Sequence, residues 1–274
     1  MNTSNSISEL SSTADEPAPT TIRATGPRHD VYGLIHKGLR SFMLDSLSRL
    51  GRVDAGSPTS FSATVAQTRA LLEAMHEHLR HENEFIHPAL EARSPGSAAA
   101  TAMEHAEHEQ VFGVLEHLLL RVEQSFADGD QTEPNPGCAP SSRTPRVRSV
   151  PSEPRSGGEL EALLKQLYLR LSAFVAENLA HMYREETETT QLLWRLYSDD
   201  ELRGIQSAIV ASESPEELAV TLRWMLPSVT PKERLGLLGG ARQGLPPQAF
   251  QGVMRLAEEV LEPADYRQLA GALG

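Results

Sequence analysis

The chain of 274 residues contains a single cysteine, Cys138. One thiol can build neither an internal disulfide framework nor a thiolate metal cluster. Aromatic residues make up only 5% of the chain, and leucine and alanine dominate, which favours helices over sheets. No apolar run reaches the roughly 18 residues that a membrane span requires. The N-terminus lacks a basic stretch followed by an apolar one, so no secretory leader is expected. Positive charge is scarce as well: 25 Lys and Arg stand against 37 Asp and Glu, a formal charge of −12. That balance argues against nucleic acid or an anionic membrane as a partner. The expectation is a reduced, cytoplasmic protein.

Histidine is unevenly placed. Four of the ten, His76, His78, His81 and His87, fall between Met75 and Pro88 together with Glu77, Glu82 and Glu84. On a helix, His78 and Glu82 lie one turn apart on the side that carries Leu71, Met75 and Phe85. An imidazole and a carboxylate within an apolar stripe are costly to bury unpaired. A metal bound from several helices would neutralise them.

Residues 1–28, rich in Ser, Thr, Pro and Asn, are expected to be disordered. Residues 29–197 read as four long helices, at about 30–52, 60–92, 98–126 and 158–197, with a proline-rich flexible insertion over 127–158. The first helix extends its stripe of Leu39, Met43, Leu47 and Leu50 back to His36 and Tyr32. The third extends Phe112, Leu115, Leu119 and Val122 back to His108 and Glu104, and the fourth carries His181 and Glu185 beside Phe174 and Leu192. Residues 198–274 read as a small domain of five short helices. Three of them are opened by the capping boxes Ser198/Glu201, Ser214/Glu217 and Thr230/Glu233, and two by Pro246-Pro247 and Glu262-Pro263.

The inward faces thus offer His36; His78 and Glu82; Glu104 and His108; His181 and Glu185 as metal ligands. Imidazole with carboxylate suits iron, and two carboxylates able to bridge suit a pair of ions. Four-helix bundles build such sites from facing helices. His105, three residues before His108, is the alternative ligand on the third helix; the stripe favours His108. His76, His87 and His117 project outward, while His29 and His81 flank the face. Tyr32 either hydrogen-bonds into the site or fills the core. Glu186 and Glu188 read as exposed charges, Trp224 and Met225 as packing for the tail, the 143–148 basic run as solvated linker, and Cys138 as incidental.

Several segments resemble the hemerythrin-like family, the bacterial HHE cation-binding domains. They are Leu34-Ile35-His36-Lys37-Gly38-Leu39-Arg40; His78-Leu79-Arg80-His81-Glu82 with Pro88 ten residues after His78; Glu107-His108 followed by Val111 and Phe112; and His181-Met182-Tyr183-Arg184-Glu185-Glu186. The resemblance spans residues 29–197. It implies an all-α, up-down-up-down four-helix bundle, here with a small C-terminal helical domain. It also implies a centre of two non-haem iron ions, with manganese or zinc as alternatives, bridged by Glu82 and Glu185. Departures are visible too. Hemerythrin proper carries two histidines four apart on its third helix, where Glu104 would stand here, and an Asp five residues after the fourth-helix His, where Glu185 comes at four. A Glu-for-His exchange would make the centre more anionic.

Three functions follow as expectations. The centre binds dioxygen, or senses oxygen, iron or redox state; it is an enzyme activating dioxygen, peroxide or nitric oxide; or the bundle is a metal-free scaffold. The expected small partner is dioxygen or a related diatomic or peroxide ligand, and the tail is the segment expected to meet a protein partner.

Overall fold

A computed structural model describes residues 28–130 and 155–274. The expected N-terminal disorder, Cys138, the basic run at 143–148 and most of the expected insertion lie outside them. Among the described residues all regular structure is helical. Four rods form the bundle. The first is α1 (Gly33–Gly51). The second is α2 (Pro58–His81), which passes through a π turn (Glu82–Ile86) into α3 (His87–Arg93). The third is α4 (Ala99–Asp130). The fourth is α5 (Arg155–Arg184), which passes through a second π turn (Glu185–Thr189) into α6 (Thr190–Leu196). The described ends of the expected insertion are therefore helical, since α4 runs to Asp130 and α5 begins at Arg155. Five short helices follow: α7 (Asp199–Ser212), α8 (Pro215–Ser228), α9 (Pro231–Gly244), α10 (Pro247–Val260) and α11 (Pro263–Leu273).

Local chemistry sets the ends of these rods. Asp30 accepts from the backbone N–H groups of Tyr32 and Gly33 at 2.9 and 3.0 Å, satisfying orphan donors as α1 begins. Ser57 caps α2 ahead of Pro58. After α3, the Glu91 carboxylate accepts from Gly96 N–H and Ala98 N–H, closing a turn in which Gly96 takes φ +83°. All three capping boxes of the tail are present, at Ser198, Ser214 and Thr230.

The bundle has three layers, the third completed by Tyr32 and Ala98, which stand just ahead of α1 and α4. The main core contains Leu39, Phe42 and Met43 of α1, Leu71, Leu72 and Met75 of α2, Phe112, Leu115 and Leu119 of α4, and Leu167, Leu171 and Phe174 of α5. Each wholly buried leucine here contributes about 2 kcal/mol. At the opposite end Tyr32, Ile86, Leu90, Ala98, Leu193 and Leu202 form a second apolar cluster, a floor to which α7 contributes Leu202. Between core and floor, at the level of residues 36, 78–82, 105–108 and 181–185, lies a layer of buried histidine and glutamate.

The tail closes a core of its own from Leu222, Leu226, Leu238, Ala257, Leu261 and Leu269. It is also fastened to the bundle. Helix α8 lies along α1, where Trp224 stacks on Phe42 with ring centroids 4.2 Å apart, so Trp224 packs against the bundle rather than within the tail. Lys37 donates to both carboxylate oxygens of Glu233, at 2.6 and 2.8 Å. The close approach depends on Gly38: a Cβ there would stand 3.0 Å from the backbone N and Cα of Met225. Gly38→Val should therefore push α8 off α1. The expected cost is about 1–3 kcal/mol, read as a lower unfolding midpoint with a red shift of Trp224 fluorescence.

Candidate metal centre

Two of the four rods deliver a His-x-x-x-Glu pair, and both place the glutamate at the first residue of a π turn: Glu82 after His78, and Glu185 after His181. An i→i+5 turn holds one residue more than an α turn and often marks a functional site. The extra residue turns everything downstream by about 100°. The α-helical segment before each turn keeps histidine and glutamate one above the other. From the end of each turn onward, Ile86 and Leu90 on one rod and Leu193 on the other pack into the floor.

The donors form two halves. In one, His36 Nε2 lies 3.2 Å from His78 Nε2 and 3.5 Å from Glu185 Oε2, with Glu82 Oε1 3.3 Å from His78 Nε2. In the other, His105 Nε2 lies 3.1 Å from His181 Nε2 and 3.3 Å from Glu82 Oε2, while His181 Nε2 is 3.2 Å from Glu185 Oε1. Each carboxylate therefore offers one oxygen to either half. Ligand atoms of His36, His78, Glu82 and Glu185 lie within 4.8 Å of one another, as do those of Glu82, His105, His181 and Glu185. Adjacent donors around an ion with bonds of about 2.1 Å sit about 3 Å apart, close to these separations.

Outer partners fix the rings. His36 Nδ1 donates to Glu186 at 3.1 Å, and Arg40 holds that same oxygen at 2.6 Å. His105 Nδ1 donates to Asn83 Oδ1 at 2.8 Å. His181 Nδ1 donates to Glu104 at 2.7 Å, and Arg184 holds the other oxygen of Glu104. With Nδ1 protonated, each ring turns its Nε2 lone pair toward the centre, the arrangement that metal-binding histidines need. Two such lone pairs 3.1 Å apart repel unless a positive charge lies between them. Glu82 Oε1 and both oxygens of Glu185 are buried without a hydrogen-bond partner. Buried carboxylate oxygens in that condition call for a cation.

Protonation follows the same logic. Burial alone lowers His36, but Glu186, Glu82 and Glu185 overcome it and raise the group to about 9. His181 likewise rises to about 9 against burial, through Glu185 and Glu104. Burial lowers His78 to about 3, against the opposing pull of Glu82 and with a smaller contribution from His36 and His181. Burial raises Glu82, yet His78, His105 and His36 pull it well below the carboxylate range. Burial and then Glu82 push Glu185 upward. One proton per half, on His36 and on His181, thus stands where an ion would.

Of the residues singled out in the sequence, His36, His78, Glu82, His181 and Glu185 meet here. Glu104 and His108 stand outside both groups of four. Glu104 is partly exposed and orients His181, while His108 is buried edge-on to the His181 ring, centroids 5.1 Å apart. His105 supplies the donor from α4. The signal lay in the spacing: residues 105, 108, 112, 115, 119 and 122 alternate by three and four, so both histidines share the inward stripe. Two other readings change. Glu186 is no free surface charge but the partner of His36. His87 is not solvated but 8% exposed and stacked on His105, because the π turn rotates it inward. His76 and His117 are exposed. Tyr32, 2% exposed, lies against His36 with centroids 5.0 Å apart; burial and then Glu185 and Glu82 raise its phenol well above the usual range.

The family model for the hemerythrin HHE cation binding domain matches residues 34–193. The chain belongs to the hemerythrin HHE family. No curated protein and no solved structure matches it. Both groups of donors lie inside the matched span, so this hemerythrin-like protein carries residues that could hold a cation at the middle layer of the bundle. Among the described residues no helix is long and apolar enough to cross a membrane.

The raised histidines set a pH dependence. Their protons stabilise the metal-free fold fully below 6.5, the value without neighbours, and that stabilisation is lost as pH rises through about 9. In chelator the unfolding midpoint should fall from pH 6.5 to 9. Metal-loaded protein, with ions in place of the protons, should show a much smaller change over that window in the same thermal melts.

Proposed function

We propose that this hemerythrin-like protein holds two non-haem iron ions and uses them to bind dioxygen or to sense oxygen, iron or redox state. One observation carries the reading: Glu82 and Glu185 each present one oxygen to the His36/His78 half and one to the His105/His181 half. Two shared carboxylates and four imidazoles suit a pair of first-row ions, with iron favoured by the mixed nitrogen and oxygen donors and manganese or zinc as alternatives. Ferrous iron, once bound, would supply electrons to a small oxidant.

The chain's own residues prepare the site. Glu186, Asn83 and Glu104 hold three rings with Nε2 inward. The floor of Ile86, Leu90 and Leu193 and the core above exclude water from the carboxylates. Sensing has a physical route in α1. His36 is followed at once by Lys37, which holds Glu233 of α9, and by Gly38, which faces Met225 of α8. A shift of His36 on changing occupancy would press on the tail, where a protein partner would read it.

The second reading, an enzyme acting on dioxygen, peroxide or nitric oxide, is favoured by the count of donors. Each half offers two imidazoles and a share of two carboxylates, fewer than the six positions of an octahedral ion. Consumption of oxygen or peroxide beyond one equivalent per centre would select this reading.

Metal analysis after iron-replete, anaerobic expression should find two irons per chain, and less than one would refute the dimetal reading. Reduced protein given oxygen should develop a near-ultraviolet band that disappears on degassing if it is a reversible binder; no such change would exclude that version. His78→Ala and Glu185→Ala should each strip metal and destabilise the bundle by about 3 kcal/mol or more, measured by metal content and denaturant unfolding.

A further inference from the structure

The two rods that carry the bridging glutamates repeat one pattern. His78 corresponds to His181, Glu82 to Glu185, and Asn83 to Glu186, each of the last two holding an Nδ1 of a histidine on another rod. The match breaks five residues after the glutamate, where α3 begins with His87 and α6 begins with Thr190. Thr190 has its hydroxyl proton satisfied, donating to the Glu185 carbonyl at 2.8 Å. His87 has not. It is 8% exposed, and its Nε2 is buried without a hydrogen-bond partner.

The ring of His87 lies over that of His105, with centroids 4.6 Å apart and planes 25° from parallel. Stacked in this way, it lies directly behind a ring of the His105/His181 half. Its nitrogens do not belong to either group of four mutually close donors. A buried imidazole nitrogen without a partner is costly to keep, so its presence points to a group that is supplied from outside. His108 flanks the same half at His181 and also lines a groove between α4 and α5, together with Glu104, Val111, Ala180 and Arg184. Among the described residues the other half has no comparable pair of extra imidazoles; Tyr32 lies against His36 there.

We propose that His87 is an outer histidine of the centre, donating a hydrogen bond from Nε2 to a small anion seated on the ion between His105 and His181. This rests on the dimetal reading above. The substrate-facing half of the centre is then the one bounded by α4 and α5. His87 acts by holding the exogenous ligand, and the metal itself is left to the six donors already described.

Azide binding to protein reconstituted with ferric iron tests this, with iron content measured in parallel. His87→Phe keeps a stacking ring but removes the donor. It should retain wild-type iron and bind azide about ten-fold more weakly. His87→Gln, which restores an N–H donor, should recover most of that loss. In the wild type, the vibrational bands of bound azide should shift between H2O and D2O, a readout that needs no variant. An unchanged azide affinity in His87→Phe, a Gln variant no better than Phe, or an absent isotope shift would each overturn the assignment. Iron loss in His87→Phe as deep as in His78→Ala would overturn it too, by making His87 a ligand. Wild-type protein that takes up no iron would instead remove the dimetal reading itself, so the two failures are distinguishable.

Discussion

Two carboxylates placed in the interior without enough hydrogen bonds constrain everything around them. Glu82 and Glu185 are 3% and 1% exposed, and three of their four oxygens have no hydrogen-bond partner. Burying anions without compensation is among the most expensive acts available to a fold. Four imidazoles surround them, and three of those imidazoles are steered by outer acceptors so that the lone pair faces inward. The layer is therefore built for positive charge, held by protons on His36 and His181 or by ions. Apolar packing above and below serves that layer as much as it serves stability, because it keeps water from satisfying the same oxygens.

The legible part of the site was the part governed by a single regular helix. His78 with Glu82, and His181 with Glu185, are four residues apart and share a face by α-helical geometry alone. His36 followed from the stripe of α1. The choice between His105 and His108 did not, because both lie on the inward stripe. What separates them is the level at which α4 meets α5, a matter of long-range pairing with no local signature. Asn83, Glu186 and His87 were hidden for other reasons. His87 lies past the π turn, where a projection at 100° per residue assigns it to the wrong side, while Asn83 and Glu186 reach their imidazoles from the edge of the face, as ordinary exposed polar residues also would.

The tail shows the same division. Its helix starts were plain from Ser198, Ser214, Thr230 and the prolines, since capping is a short-range effect. Its attachment was not. A lone glycine inside α1 was the faint trace of it, and Gly38 proves to be where a Cβ would press on the backbone of α8. Trp224 then spends its area on Phe42. The last five helices thus share a core among themselves and a second contact with the rod that bears His36.

The paired π turns have a consequence for how this bundle can change over generations. Each adds one residue within a rod, so each sets the phase between the upper and lower parts of that rod. The floor needs Ile86 and Leu90 from one rod and Leu193 from the other to arrive together. A one-residue deletion that healed either rod into an unbroken spiral would swing its lower portion away, spoiling the floor and withdrawing Asn83 or Glu186 from its imidazole. The two irregularities are accordingly linked, since each sets the phase of one side of the same floor.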